Sequence, residues 1–216
     1  MKFTSKYANL LSLLIIFPVL LQACQKENKK VILDNPCAPP CWRYITPGQT
    51  GQEELIRILK SMPDVDQKSI GILGKWNIFD SSVEVRLKSN IKIDIYLIDD
   101  KVILLSMYDI FGMTYAEAVD HFGEPVVITA ARNLGTDFIP IGDLELLYIS
   151  SMIPEIGIAY GFSSKDILMK SDEEIDPESK ITYFNYYDPE FFKTLLDRGF
   201  FTGGNSWDFQ YWRSND

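Results

Sequence analysis

One histidine and three cysteines in 216 residues leave little material for metal or nucleophilic chemistry. A zinc site takes four ligands, or three with an open position, drawn mainly from Cys and His. The lone His121 sits mid-pattern beside Phe122 on an apolar-periodic stretch, which reads as a structural histidine rather than a catalytic one. No Gly-x-Ser-x-Gly elbow accompanies it. Gly71-Ile72-Leu73-Gly74-Lys75 lacks both the spacing of a phosphate loop and the Ser or Thr that follows its lysine. Asp172-Glu173-Glu174-Ile175-Asp176-Pro177-Glu178 lacks the alternating acids and central glycine of a calcium loop, and a solvated loop is the better reading. Basic residues are also scarce, 21 against 30 acids, for a net charge of −9. That balance excludes a nucleic-acid partner, which needs a basic face. No catalytic residue, metal ligand or cofactor is assigned. A carboxylate-dependent hydrolase stays open as an alternative, because sequence alone does not say which of the acids converge.

Long apolar runs are absent except at the N-terminus. Met1 to Asn9 carries Lys2 and Lys6 and no acid, Leu10 to Leu21 is almost wholly apolar, and Leu21-Gln22-Ala23-Cys24 closes the segment. A basic start, a short apolar core and a small residue before the cut describe a secretory signal, residues 1–23. The run is too short for a spanning helix, and Pro18 interrupts it. Leu21 to Cys24 resembles a lipobox, which implies cleavage before Cys24 and a diacylglycerol on its thiol. An ordinary cleaved signal is the alternative. Removing residues 1–23 takes two lysines and no acid, leaving 19 bases against 30 acids, a charge of −11. Such a chain is not drawn electrostatically to anionic lipid, so anchoring falls to the acyl chains.

Acylated Cys24 leaves Cys37 and Cys41 as an even pair in an oxidising compartment. Cys37-Ala38-Pro39-Pro40-Cys41 reads as a local structural disulfide. Redox-active pairs usually have two intervening residues, and this one has three. Gln25 to Pro36 reads as a tether continuing from Cys24, so residues 24–36 link the anchor to a single domain over 37–216.

Two windows of that domain match in pattern. Ile45-Thr46-Pro47-Gly48-Gln49-Thr50 and Ile110-Phe111-Gly112-Met113-Thr114 each precede an amphipathic helix. Thr50 with Glu53, and Thr114 with Glu117, have capping-box spacing. After the first helix the period falls to two. Val83, Val85 and Leu87 alternate with Glu84, Arg86 and Lys88, and Ile91, Ile93 and Ile95 alternate with Asn90, Lys92 and Asp94. Turns are predicted at Ser89-Asn90 and Asp99-Asp100, followed by a strand from Lys101 to Met107. Less regular strands follow at Val126 to Ala131, Leu144 to Ser150 and Ile156 to Phe162, then a helix from Pro189 to Asp197 and a hairpin-like end. The expected fold is α+β, with two tandem helix-then-antiparallel-sheet units at about 44–109 and 110–170 in one domain. Two unrelated, well-capped helices would leave the same signal.

The Gly-x-Thr-x-x-Glu helix start ending in Gly-x-Pro, clearest from Gly112 to Pro125, resembles the small envelope lipoproteins of the outer-membrane assembly machinery. It is also similar to the tandem unit of β-lactamase-inhibitory proteins. The first window departs from the pattern, with Leu59 standing where the second has Gly123. Cys37-Ala38-Pro39-Pro40-Cys41-Trp42 with Ile45-Thr46-Pro47-Gly48-Gln49-Thr50 resembles a group of bacterial surface lipoproteins that carry no assigned activity. Neither resemblance implies catalytic residues.

Aromatic residues complete the inventory. Trp207, Phe209 and Tyr211 fall on one strand face with Trp212 opposite, as candidate binding aromatics for a sugar or protein partner. The plainer reading is a core-closing strand. The sequence therefore predicts an exported, lipid-anchored, non-catalytic binding protein of the cell envelope, at the cell surface or on a periplasmic face. It would be held by the membrane through its anchor and directed at an envelope protein partner. A structural or assembly lipoprotein is the alternative.

Overall fold

Tight turns and apolar spacing set the first elements. The computed structural model of the chain describes residues 31–108, 110, 112–133, 147–164, 175–201 and 207–214. Helix α1 (Gln52–Ser61) buries Leu55, Ile58 and Leu59, spaced three and four apart, and leaves Glu53, Glu54 and Lys60 in solvent. Strands β1 (Gly71–Leu73), β2 (Ser81–Arg86), β3 (Lys92–Ile98) and β4 (Lys101–Tyr108) follow. Asn90 takes φ 69°, and Asp99 and Asp100 take 49° and 63°. Short polar side chains tolerate that left-handed backbone best after glycine, so both connections turn where the sequence places them.

Helix α2 (Tyr115–Phe122) precedes β5 (Val127–Asn133), β6 (Leu147–Ile153), β7 (Ile158–Ser164) and β8 (Tyr183–Tyr187). A 3-10 turn at Pro189–Phe191, capped by the Asp188 carboxylate, leads into α3 (Phe192–Asp197), and β9 (Trp207–Ser214) follows. Helix α2 has the expected capping box: the Glu117 N–H donates to the Thr114 hydroxyl at 3.2 Å, and the Thr114 N–H to the Glu117 carboxylate at 2.9 Å. Helix α1 does not. Its N-cap is Gly51, and the Thr50 hydroxyl instead accepts from the Thr46 N–H at 2.8 Å. The Thr50 carbonyl accepts from Val102, and Gly51 bridges to Lys101. Docking on β4 thus takes Thr50 out of the capping position.

The described strands form one antiparallel sheet in the order β1-β2-β3-β4-β8-β7-β6-β5-β9. This corrects the expected α+β fold of two helix-then-sheet units. The helices are few and short, and the strands belong to a single sheet. The join is β4 with β8, from Leu104↔Tyr187 to Tyr108↔Tyr183. Two separate sheets would have left both strands as open edges. Both are instead central, and β4 is buried at every position from Val102 to Met107. Strand β9 lies at the far edge beside β5.

One face carries the main core, which includes Val83, Val85, Ile93, Ile95, Leu105, Met107, Phe184 and Tyr186 together with the buried residues of α1 and α2. A smaller core on the other face gathers Leu104, Tyr187, Ala159 and Met152 with Leu195 and Phe201. A bulge between β3 and β4 at Tyr96/Leu97 adds Ile103 to it.

Packing begins earlier than the expected tether boundary at residue 36. Residues 31–33 are helical, and Val31 and Ile32 are buried in the main core. The Trp42 indole N–H donates to the Val31 carbonyl at 3.1 Å. Cys37 and Cys41 are disulfide-bonded, with Cα atoms 5.7 Å apart, and the Pro39–Pro40 peptide is cis. Trp42, next to the bridge, is fully buried. Asn35 ties the same loop by donating to the Cys37 and Cys41 carbonyls at 2.9 and 2.5 Å and accepting from the Arg43 N–H at 2.8 Å. Cys37→Ser is therefore expected to lower stability by only about 2 kcal/mol or less, since the closed loop is short. Urea unfolding measures this, and global unfolding of the variant would refute it.

Candidate functional site

Alternation along β2 and β3 sends Val83, Val85, Ile93 and Ile95 into the main core. It turns Ser82, Glu84, Lys92, Asp94 and Tyr96 to the opposite face. Register aligns these residues across strands. Ser82 faces Tyr96, and Glu84 faces Asp94; the second row continues through Ser106 on β4 to Asn185 on β8. Ser82, Asp94, Ser106 and Asn185 are all buried.

Beside this polar row the chain between β1 and β2 makes a two-residue turn. Trp76 and Phe79 exchange backbone hydrogen bonds at 3.1 and 3.0 Å, with Asn77 at φ 55°. Phe79 is fully buried, while Trp76 is 52% exposed. The indole is held by Tyr96 at 5.5 Å, Phe200 at 5.7 Å and Phe79 at 6.4 Å between ring centroids. Trp76 and Tyr96, with Leu73, Gly74, Lys75, Ser82, Glu84, Lys92 and Asp94, bound an open cleft of about 480 Å³, within the range of small-ligand sites. Ile72 and Leu73, on the short edge strand β1, are also exposed.

Lys92 organises the charge. Its ammonium lies 3.0 Å from Asp94 Oδ2 and 3.6 Å from Glu84 Oε1. Burial pushes the Asp94 carboxyl above the usual carboxylate range, opposed by the hydrogen bond and charge of Lys92. Burial pulls Lys92 down, but Asp94 and then Glu84 outweigh it, and its pKa is raised. Tyr96 is pushed up by burial, then by Tyr108 and the Asp94 charge, and stays a neutral phenol. Asp94 Oδ1 is buried with no protein partner. The arrangement supplies an aromatic plate and paired charges. Because both carboxylates share Lys92, they differ from the free acid and base of a glycosidase.

Lys92→Met is expected to lower stability by ~1–3 kcal/mol at neutral pH, with the exposed Glu84 contributing least. Glu84 and Asp94 are direct cross-strand partners, and without the ammonium they repel. The deficit has a defined pH dependence. Without Lys92 the Asp94 carboxyl rises further, and an acid with a raised folded-state pKa stabilises the fold only while protonated. The loss should appear as pH rises from the ordinary aspartate value of about 3.9 through the raised folded value. Urea midpoints from acid to neutral pH test this. A deficit independent of pH would contradict it.

The residues singled out from sequence fall elsewhere. Cys24 lies outside the described residues. Cys37 and Cys41 form their bridge away from the cleft's lining. Trp207, Phe209, Tyr211 and Trp212 lie on β9, paired with β5 through its backbone, and their side chains are outside the described residues. His121 is exposed on α2, edge-on to Phe122 at 4.6 Å. Asp176 and Glu178 are exposed, and residues 172–174 lie outside the described residues. Among the described residues no group of His, Cys, Asp or Glu could hold a metal ion.

Trp76 and the face of Lys92, Asp94 and Tyr96 were not singled out from sequence as a site. The alternation of β2 and β3 marks that face, and a tryptophan in the Gly74-Lys75-Trp76-Asn77 turn marks the wall. Trp76 meets Tyr96 directly, and Phe200, far along the chain, packs edge-on against the indole. No protein family, curated protein or solved structure matches the chain.

Proposed function

We propose that the chain is an exported lipoprotein, anchored through Cys24, that acts as a non-catalytic binding protein of the cell envelope and binds at the Trp76 cleft. The observation that supports this best is the half-exposed Trp76, fixed by three other aromatic rings beside a row of polar side chains. A solvent-facing indole beside the exposed Leu73 is the kind of apolar surface that recognition sites concentrate. No described helix is long and apolar enough to cross a membrane; attachment in this reading rests on the lipobox at Leu21 to Cys24. Cleavage before Cys24 would expose it at the cell surface or on a periplasmic face.

A photoreactive residue in place of Leu73, on the rim of the cleft, tests the binding role in intact cells. Cross-linked adducts are expected, and Trp76→Ala should reduce them roughly tenfold if it removes a central contact. Tyr44→Ala, at a 68% exposed position on the N-terminal turn, should leave them unchanged. Absence of adducts, or adducts indifferent to Trp76, would overturn the reading. In that case a structural or assembly role in the envelope takes its place.

A further inference from the structure

We infer that the Trp76 cleft takes a neutral carbohydrate, bound as a short segment of a glycan; this rests on the binding role proposed above. The first argument is charge. Glu84 and Asp94 are matched by Lys75 and Lys92 in the same lining. A cationic ligand would compete with Lys92 for both carboxylates, and an anionic one would compete with both carboxylates for Lys92. The cleft therefore selects neither sign, although its chain is strongly acidic as a whole.

The second argument is the mixture of surfaces. Trp76 offers a fixed aromatic plate, and the ammonium, carboxylates and Ser82 hydroxyl beside it supply donors and acceptors at close spacing. A pyranose ring has the matching pair of surfaces. Its C–H face is apolar and flat enough to lie on an indole. Each of its hydroxyls both donates and accepts, so neighbouring hydroxyls can address a carboxylate oxygen and an ammonium proton together. A purely apolar ligand would leave these polar groups desolvated and unpaired. Asp94 itself is only 7% exposed and its Oδ1 is out of reach of solvent, so the polar contacts to the ligand fall to Glu84, Lys92 and Lys75 around it.

The test is calorimetric titration of the full chain in detergent. The probes are neutral oligosaccharides of glucose, mannose, xylose and N-acetylglucosamine, an acidic oligogalacturonate, and a trilysine peptide. At least one neutral oligosaccharide is expected to bind. Trp76→Ala should weaken that binding roughly tenfold, with Trp76→Phe retaining most of it. The affinity should change little between about 50 and 500 mM salt, because no net charge is neutralised. Binding of the oligogalacturonate or trilysine alone, binding of none of the probes, or neutral binding indifferent to Trp76→Ala would overturn the inference. If neutral sugars fail while the Leu73 adducts remain dependent on Trp76, the carbohydrate assignment falls and the binding role stands. If both fail, both fall.

Discussion

Gly161→Val is expected to lower the unfolding free energy by about 3 kcal/mol or more, a large fraction of the roughly 5–15 kcal/mol that holds a domain of this kind folded. Gly161 lies on β7 between β6 and β8, opposite Ser150 on one side and Tyr183 on the other. The Tyr183 side chain crosses the glycine, and its hydroxyl donates to the Ile149 carbonyl at 3.0 Å. Any Cβ at position 161 would overlap the Ile149 carbonyl oxygen and the Tyr183 phenol. One of these neighbours is backbone in a central strand and has no freedom to retreat; valine adds two methyl groups to the same overlap. Tyr183→Phe, which keeps the ring and loses the hydroxyl's hydrogen bonds with the Ile149 carbonyl and the Ser150 hydroxyl, should cost about 1–3 kcal/mol. Urea denaturation of both variants separates the terms. A wild-type midpoint for Gly161→Val would show that the ring does not cross the glycine.

Cys24→Ser is expected to abolish membrane retention, leaving the protein in the soluble fraction or as uncleaved precursor. The effect should be nearly complete because anchoring by acyl chains is the dominant attachment in this reading. A charge of −11 on the cleaved chain offers anionic lipid no compensating attraction. Membrane fractionation with mass measurement of the N-terminus decides it. A variant that sediments with membranes and is processed like the wild type would rule out the lipobox reading.

Much of the local structure was legible because its causes lie within a few residues. The Thr114–Glu117 capping box needs only a hydroxyl and a carboxylate three positions apart, and it forms. Thr50–Glu53 has the same spacing and forms no box, because Gly48 to Gln52 is drawn into backbone bonds with Asp100 and Val102. The exposed-looking polar side of β3 shows a similar limit. The alternation correctly places Lys92 and Asp94 together on one face, but Asp94 is buried there. The turn carrying Trp76, and Phe200 beside it, come from distant parts of the chain.

By itself the sequence determined what depends on neighbouring residues. These features are the period of the β2 and β3 strands, the turns at Asn90 and Asp99-Asp100, the α2 cap and the Cys37–Cys41 bridge across three residues. The proposed address at Cys24 rests on sequence as well. The tertiary structure decided that the strands share one sheet. The unbroken apolar run of β4 states that both its faces are covered, but not that its second partner is β8. Strand partners are chosen by which edges and faces meet when the whole chain folds, and no local pattern carries that information. The cleft has the same origin: its floor is written in the alternation of two strands, and its aromatic wall exists only where Trp76 meets Tyr96, with Phe200 packed against the indole.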